Sequence, residues 1–264
     1  MNVIMVLSVI LYLLMKKIGG KEGSKAFWIM VLNLVLFMSL IVLLALGIPV
    51  FLLSIATVVL FSAIMTVGMN ERNLYSWAAF LGTVTTILIS SLLITLTLHY
   101  FQVQGFVQEE MADADMFSMY VGIRFDQLTI VVLIMASLGV IIDTSVTLVA
   151  YITALKKEQP KITDNQLLKS AMTVGKDVII SSINTLFFAF FGQNISLFIW
   201  VKDLHYSFDE MMNSKVIVLE IITMLYCGIG ILLCVPCTFL WVRYISGRKK
   251  VMKNRLRKEE KKSC

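Results

Sequence analysis

Charge is what this 264-residue sequence has least of: 15% of its residues are Asp, Glu, Lys or Arg, 58% are hydrophobic, and the mean hydropathy is +0.86. Soluble domains carry about 25% charged residues, so a water-soluble fold is excluded and much of the apolar surface must face lipid. Catalytic signatures are missing as well. No nucleotide-binding loop, no H-E-x-x-H and no nucleophile elbow occurs, which argues against an ATP-driven machine, a membrane protease or any other enzyme, and no cofactor is implied. No basic residue precedes the first apolar run, whereas Lys16, Lys17, Lys21 and Lys25 follow it. That is the reverse of a cleavable signal peptide, so the run is expected to be retained as a first span. Of the four cysteines, Cys227, Cys234 and Cys237 share one apolar run and Cys264 is the last residue, so no disulfide framework is expected. Nor does the chain repeat itself.

What is present is a series of apolar runs near bilayer length, at 3–15, 27–46, 50–68, 77–98, 128–155, 172–191 and 216–242. The fold class expected is therefore all-α, a polytopic membrane protein of about seven transmembrane helices. Of the 23 Lys and Arg residues, only Arg124, Lys202 and Lys215 fall outside the segments that follow spans one, three, five and seven, counting Lys176 with the loop it adjoins. The positive-inside rule then sets the N-terminus outside and the C-terminus in the cytoplasm. Residues 1–242 form one transmembrane domain, with outer loops at 99–127 and 192–214 and a cytoplasmic loop at 156–171. Residues 243–264 form a basic cytoplasmic tail, read as lying against anionic headgroups rather than on nucleic acid. The first long outer loop is acidic, with Glu109, Glu110, Asp113 and Asp115, while the second is amphipathic and suits the membrane surface, with Leu197, Phe198, Ile199, Trp200 and Phe208. Thr163 and Gln166 have capping-box spacing after Pro160, so a helix is expected to start there and run into span six.

Function has to be sought in the few polar residues within the spans. Asp143 lies near the middle of span five, about ten residues from either flank, too far to snorkel. An ionised carboxyl at that depth costs roughly 3 kcal/mol or more unless it is paired, solvated or protonated. One reading is a proton or cation site, with Thr144 beside it; the blander one is an acid hydrogen-bonded to neighbouring helices. In span six, Lys176, Asp177, Ser181, Asn184 and Thr185 recur at helical spacing. Ser181, Asn184 and Thr185 have the depth to reach Asp143, or they serve only as glue between helices. Lys176 and Asp177, with Glu220 in span seven, suit an ion pair or gate, or ordinary interface positions. Cys234-Val-Pro-Cys237 has metal-like spacing, and His99 and His205 flank acidic sequence. Small apolar cysteines and a solvated loop explain both more simply, and no metal site is assigned.

Several strings occur together: Ile18-Gly-Gly-Lys-Glu-Gly-Ser, Gln104-Gly-Phe-Val-Gln-Glu-Glu110, Gly139-Val-Ile-Ile-Asp143, Gly175-Lys-Asp177 and Asn184-Thr-Leu-Phe-Phe-Ala-Phe-Phe-Gly192. They resemble the YibE/F family from the first span to about Pro236, and specifically its shorter F-type member, which lacks the extracytoplasmic domain of the E-type. The resemblance implies a bacterial cell membrane location and an E-type partner, with a homodimer as the alternative.

A more distant likeness relates Gly-x-x-x-Asp on one span, followed by a Ser/Thr/Asn-rich span, to the membrane half of RND and SecD/SecF proteins. It implies a six-helix half, spans two to seven, preceded by one extra helix, with Asp143 as proton carrier and Ser181, Asn184 and Thr185 as its relay. Only Gly47-Ile48-Pro49 stands where RND proteins insert their cargo domain. The function expected on these grounds is a component of a proton- or cation-coupled transporter or export complex. The alternatives are a non-catalytic scaffold that stabilises an E-type partner, and metal-ion transport or sensing.

Overall fold

The computed structural model describes residues 2–46, 48–68, 74–101, 125–160, 162–203 and 205–260. All seven expected apolar stretches are helical, as a chain in lipid requires, because a helix satisfies its own backbone donors and acceptors. The elements are α1 (Asn2–Ala45), α2 (Val50–Ala63) with a π-helical turn Ile64–Gly68, α3 (Leu74–Phe101), α4 (Phe125–Glu158), α5 (Asp164–Gln193), α6 (Ile195–Asp203), α7 (Phe208–Asn213) and α8 (Lys215–Glu260). Five helical segments are long and apolar enough to cross a membrane, and α2 is a shorter apolar helix. The protein is an all-α polytopic membrane protein.

α1 does not run straight. Gly20 adopts φ 57°, a left-handed value that favours glycine, and the rings of Tyr12 and Phe27 stand 5.1 Å apart. Fifteen residues of continuous helix would separate them by about 22 Å. The chain therefore folds back at Gly20 into two arms, with Lys16, Lys17, Lys21 and Lys25 at the bend. This explains how two short apolar runs share one continuous helical assignment.

The core forms where α3, α4 and α8 pack on one another, with α2 on one flank of α4 and α5 on the other. One cluster of buried side chains joins Val58, Ile87, Ile94, Leu133, Ile141 and Tyr226. A second, toward the other end, joins Ala79, Leu148, Ile152, Leu167, Val235 and Phe239. Small residues let the backbones approach. A Cβ added at Gly82 would stand 2.9 Å from the Thr238 Cα, and one at Gly230 would stand 2.9 Å from the Ile141 Cδ1.

The helix expected from the Thr163 and Gln166 spacing starts there and runs on into the sixth apolar stretch. α4 continues to Glu158 and α5 begins at Asp164, under the capping box formed by Thr163 and Gln166. The amphipathic segment after the sixth apolar stretch folds into α6 and α7, and the basic tail continues α8 as far as Glu260. Most of the acidic outer loop, residues 102–124, lies outside the described residues.

Candidate functional site

Helix α4 crosses the middle of the bundle and sorts its polar residues onto two faces. Ser137, Ile141, Ser145, Leu148 and Ile152 recur every three or four residues and are all buried. Ser145 Oγ lies 2.7 Å from Thr83 Oγ1 on α3, and Cys234 Sγ on α8 donates to the Ile141 carbonyl at 3.4 Å. Related bonds tie α8 to α3. Tyr226 Oη donates to the Leu93 carbonyl at 3.2 Å, and Trp241 Nε1 donates to Thr85 Oγ1 at 3.3 Å. The interior of the bundle is thus rich in hydroxyls and thiols, and among the described residues no Asp, Glu, Lys, Arg or His side chain is buried in it.

The opposite face of α4 carries Ala136, Gly139, Asp143, Thr147, Ala150 and Ala154, again at helical spacing, and all six are exposed on this chain. Asp143 sits at the centre of the apolar segment Thr129–Glu158, roughly 20 Å from either end at 1.5 Å per residue. Its carboxylate has no hydrogen-bond or ion-pair partner among the described residues. Thr144, its neighbour in sequence, points elsewhere: it is buried, and its hydroxyl donates to the Val140 carbonyl at 2.8 Å.

α5 repeats the pattern. Leu167, Ala171 and Gly175 are buried, and Gly175 is seated against Leu148, Val235 and Phe239. The outer side presents Thr173, Lys176, Asp177, Ser181, Asn184 and Thr185, all exposed. Because α5 runs antiparallel to α4 and Gly175 meets Leu148, Asp143 is level with the turn around Ser181. Thr185 Oγ1 donates to the Ser181 carbonyl at 3.0 Å. The side chains of Lys176, Asp177 and Asn184 have no partner among the described residues. Asp143 and the α5 residues therefore share a depth but are not hydrogen-bonded to one another.

Glu220 is set apart from this group. It lies near the N-terminus of α8 and accepts from the Asn194 amide at 3.2 Å, which joins the end of α5 to α8. The sequence offered no means of pairing Asn194 with it. Cys227 and Cys234 are buried, Cys237 is half-buried, and all three are free thiols. Among the described residues no three His, Cys, Asp or Glu side chains converge. His205 is exposed in the turn before α7.

The outward orientation of Asp143 escaped the sequence reading, although the small residues spaced around it carried the signal. The buried hydroxyls of Thr83, Ser145 and Thr238 were missed because Ser and Thr scattered through apolar runs look the same on either face.

Comparison with known proteins agrees with the strings noted in the sequence. The family model for YibE/F-like proteins matches residues 7–248, which takes in α1 through most of α8. No curated protein and no solved structure matches the chain. With the match covering nearly the whole sequence, the chain belongs to the YibE/F-like family.

Proposed function

We propose that this protein is one subunit of a proton- or cation-coupled transporter in the bacterial cell membrane, in which Asp143 loads and releases the coupling ion at a seam with a partner subunit. One observation carries the reading: an ionisable residue at mid-membrane depth, without a partner in its own chain, on an exposed stripe otherwise made of small residues. Lipid is a poor neighbour for such a group, and intramembrane acids as a rule face a bundle interior or a water-filled path. Small residues let a second helix approach closely. The polar stripe of α5 at the same depth extends the surface that lipid serves badly. A second protein covering both stripes would enclose Asp143 with Ser181, Asn184 and Thr185, and would leave Lys176 and Asp177 toward the end where α5 begins.

The seven-pass topology, with the N-terminus outside, puts that end in the cytoplasm. The partner is a larger E-type relative whose extracytoplasmic domain handles cargo, or a second copy of this chain. The sequence pattern that resembles an RND-type half lends support at Asp143 and, more weakly, at Ser181, Asn184 and Thr185.

The test is reconstitution in liposomes, with and without the E-type partner, under an imposed proton or sodium gradient. Asp143→Asn should reduce ion flux to the level of protein-free vesicles while leaving insertion and assembly intact, and Asp143→Glu should retain part of the flux. Full flux through Asp143→Asn would sink the coupling role. A variant that assembles poorly would instead favour the scaffold reading, in which the acid only holds two proteins together.

A further inference from the structure

A second polar site lies at the other end of the bundle. Aromatic side chains gather there as they do at membrane interfaces: Trp77 and Tyr244 are more than half exposed, Trp241 packs edge-on against Tyr244, and the Lys156 ammonium stands 5.9 Å from the centre of the Tyr75 ring. At this level the first turn of α5 and the inner part of α8 enclose a cavity of about 250 Å³. Leu167, Leu168 and Val242 supply an apolar wall, and Asn165, Arg243 and Ser246 supply polar groups.

Three features of the cavity await an anion. The Ser246 hydroxyl is buried and has no hydrogen-bond partner, although a helical serine ordinarily bonds a carbonyl one turn back. Arg243 is exposed, and its guanidinium has no partner among the described residues. The N-terminus of α5 brings the positive end of a 30-residue helix, and its capping box engages the Gln166 N–H while leaving the backbone N–H of Asn165, which lines the cavity, without a helical acceptor. A cavity of this size is smaller than a typical drug-sized pocket and suits a compact anion. We propose that it binds a phosphate group, held by Arg243, Ser246 and the first turn of α5. The headgroup of an anionic phospholipid is the source that the surrounding aromatic belt and the apolar wall of Leu167 and Leu168 favour. Guanidinium groups suit phosphate because their N–H groups match its oxygens in pairs.

The experiment is thermal unfolding of the purified full-length protein in neutral detergent, titrated with phosphatidylglycerol, phosphatidylcholine or inorganic phosphate. Phosphatidylglycerol should raise the midpoint saturably, and phosphatidylcholine should not. Arg243→Gln should weaken the apparent affinity roughly tenfold, the loss expected for one charge-assisted hydrogen-bonding group. Gly247→Leu is the sharper variant. Gly247 lines the cavity and a Cβ there meets no atom within 4 Å, so a leucine adds bulk to the lining and leaves every charge in place. It should abolish the shift, whereas Lys202→Gln, which removes one positive charge from α6 and none from the cavity lining, should leave it. If inorganic phosphate alone gives the same saturable shift and Gly247→Leu removes it, the site stands and its source is soluble phosphate. A full phosphatidylglycerol shift in Gly247→Leu, or an equal shift with phosphatidylcholine, would overturn the proposal.

Discussion

The two faces of α4 carry comparable numbers of polar residues through the same depth of membrane, yet they are treated differently. On the inner face every hydroxyl belongs to a residue that α3 and α8 cover, and Ser145 bonds across to Thr83. On the outer face the single acid has nothing to bond to within the chain. Weak hydroxyl pairs are enough to knit helices together, because each hydroxyl has a fallback acceptor in its own backbone, as Thr144 has in the Val140 carbonyl. A carboxylate has no such fallback. The fold is therefore complete on the α3 and α8 side and unfinished on the side of Asp143. Apart from interhelical hydrogen bonds and packing, little drives helices together in lipid, so a polar outer face is what marks the unfinished side.

The largest effect on stability is expected from breaking the finished face. Gly82→Val places a side chain against the Thr238 backbone, where even a Cβ stands 2.9 Å from Cα, and overpacking of this kind costs roughly 1–3 kcal/mol. Gly139→Val is the matched change on the outer face, where a Cβ meets no atom within 4 Å. In detergent, the unfolding midpoint of the isolated chain should fall for Gly82→Val and hold for Gly139→Val. Co-purification with the partner, or recovery of a dimer, should reverse the order and fail for Gly139→Val. Equal behaviour of the two variants in both measurements would erase the distinction between the faces.

Where the helices run could be read from the sequence; which face of each is buried could not. Apolar runs and the Thr163 and Gln166 capping box are local signals, and helix placement follows them closely. The return of α1 at Gly20 fits its cluster of lysines and glycines. Facing is not a local property in a membrane span, because leucines and valines occupy both the lipid side and the core. The mean hydropathy of α4 is high, so Asp143 could be placed at the correct depth, but its facing rested on the weaker signal of the small residues spaced around it. The cavity of Arg243 and Ser246 joins residues from two helices far apart in sequence, and Arg243 by itself looked like the start of a basic tail.

A smaller effect tests whether the inner bonds are as weak as this account requires. Thr83→Ala, Ser145→Ala and the double variant form a thermodynamic cycle. The coupling should be about 0.6 kcal/mol, the average for hydrogen bonds between transmembrane helices. A coupling several times larger would make the pair a specific element of the mechanism rather than glue.

The smallest effect lies outside both faces, in α7, and shows what a carboxylate does when water is near. The Glu210 carboxylate accepts from the Ser207 backbone N–H at 2.7 Å and from its hydroxyl at 2.7 Å, and these bonds hold its carboxyl below the usual glutamate range. A folded-state value below the unfolded one means that the stabilisation is fully present above the unfolded value. It is lost as the pH falls through the depressed folded value, so the window lies below about pH 4. Amide exchange protection in Phe208–Asn213 should fall over that window in the wild type. In Glu210→Gln, which keeps an acceptor but cannot ionise, it should be lower at neutral pH and flat with acid. Unchanged protection in the wild type would mean that the cap contributes nothing to α7. Glu210 meets its charge with two donors one turn away, whereas Asp143 has none among the described residues, and that contrast is why the proposed ion site is put at a seam rather than within the subunit.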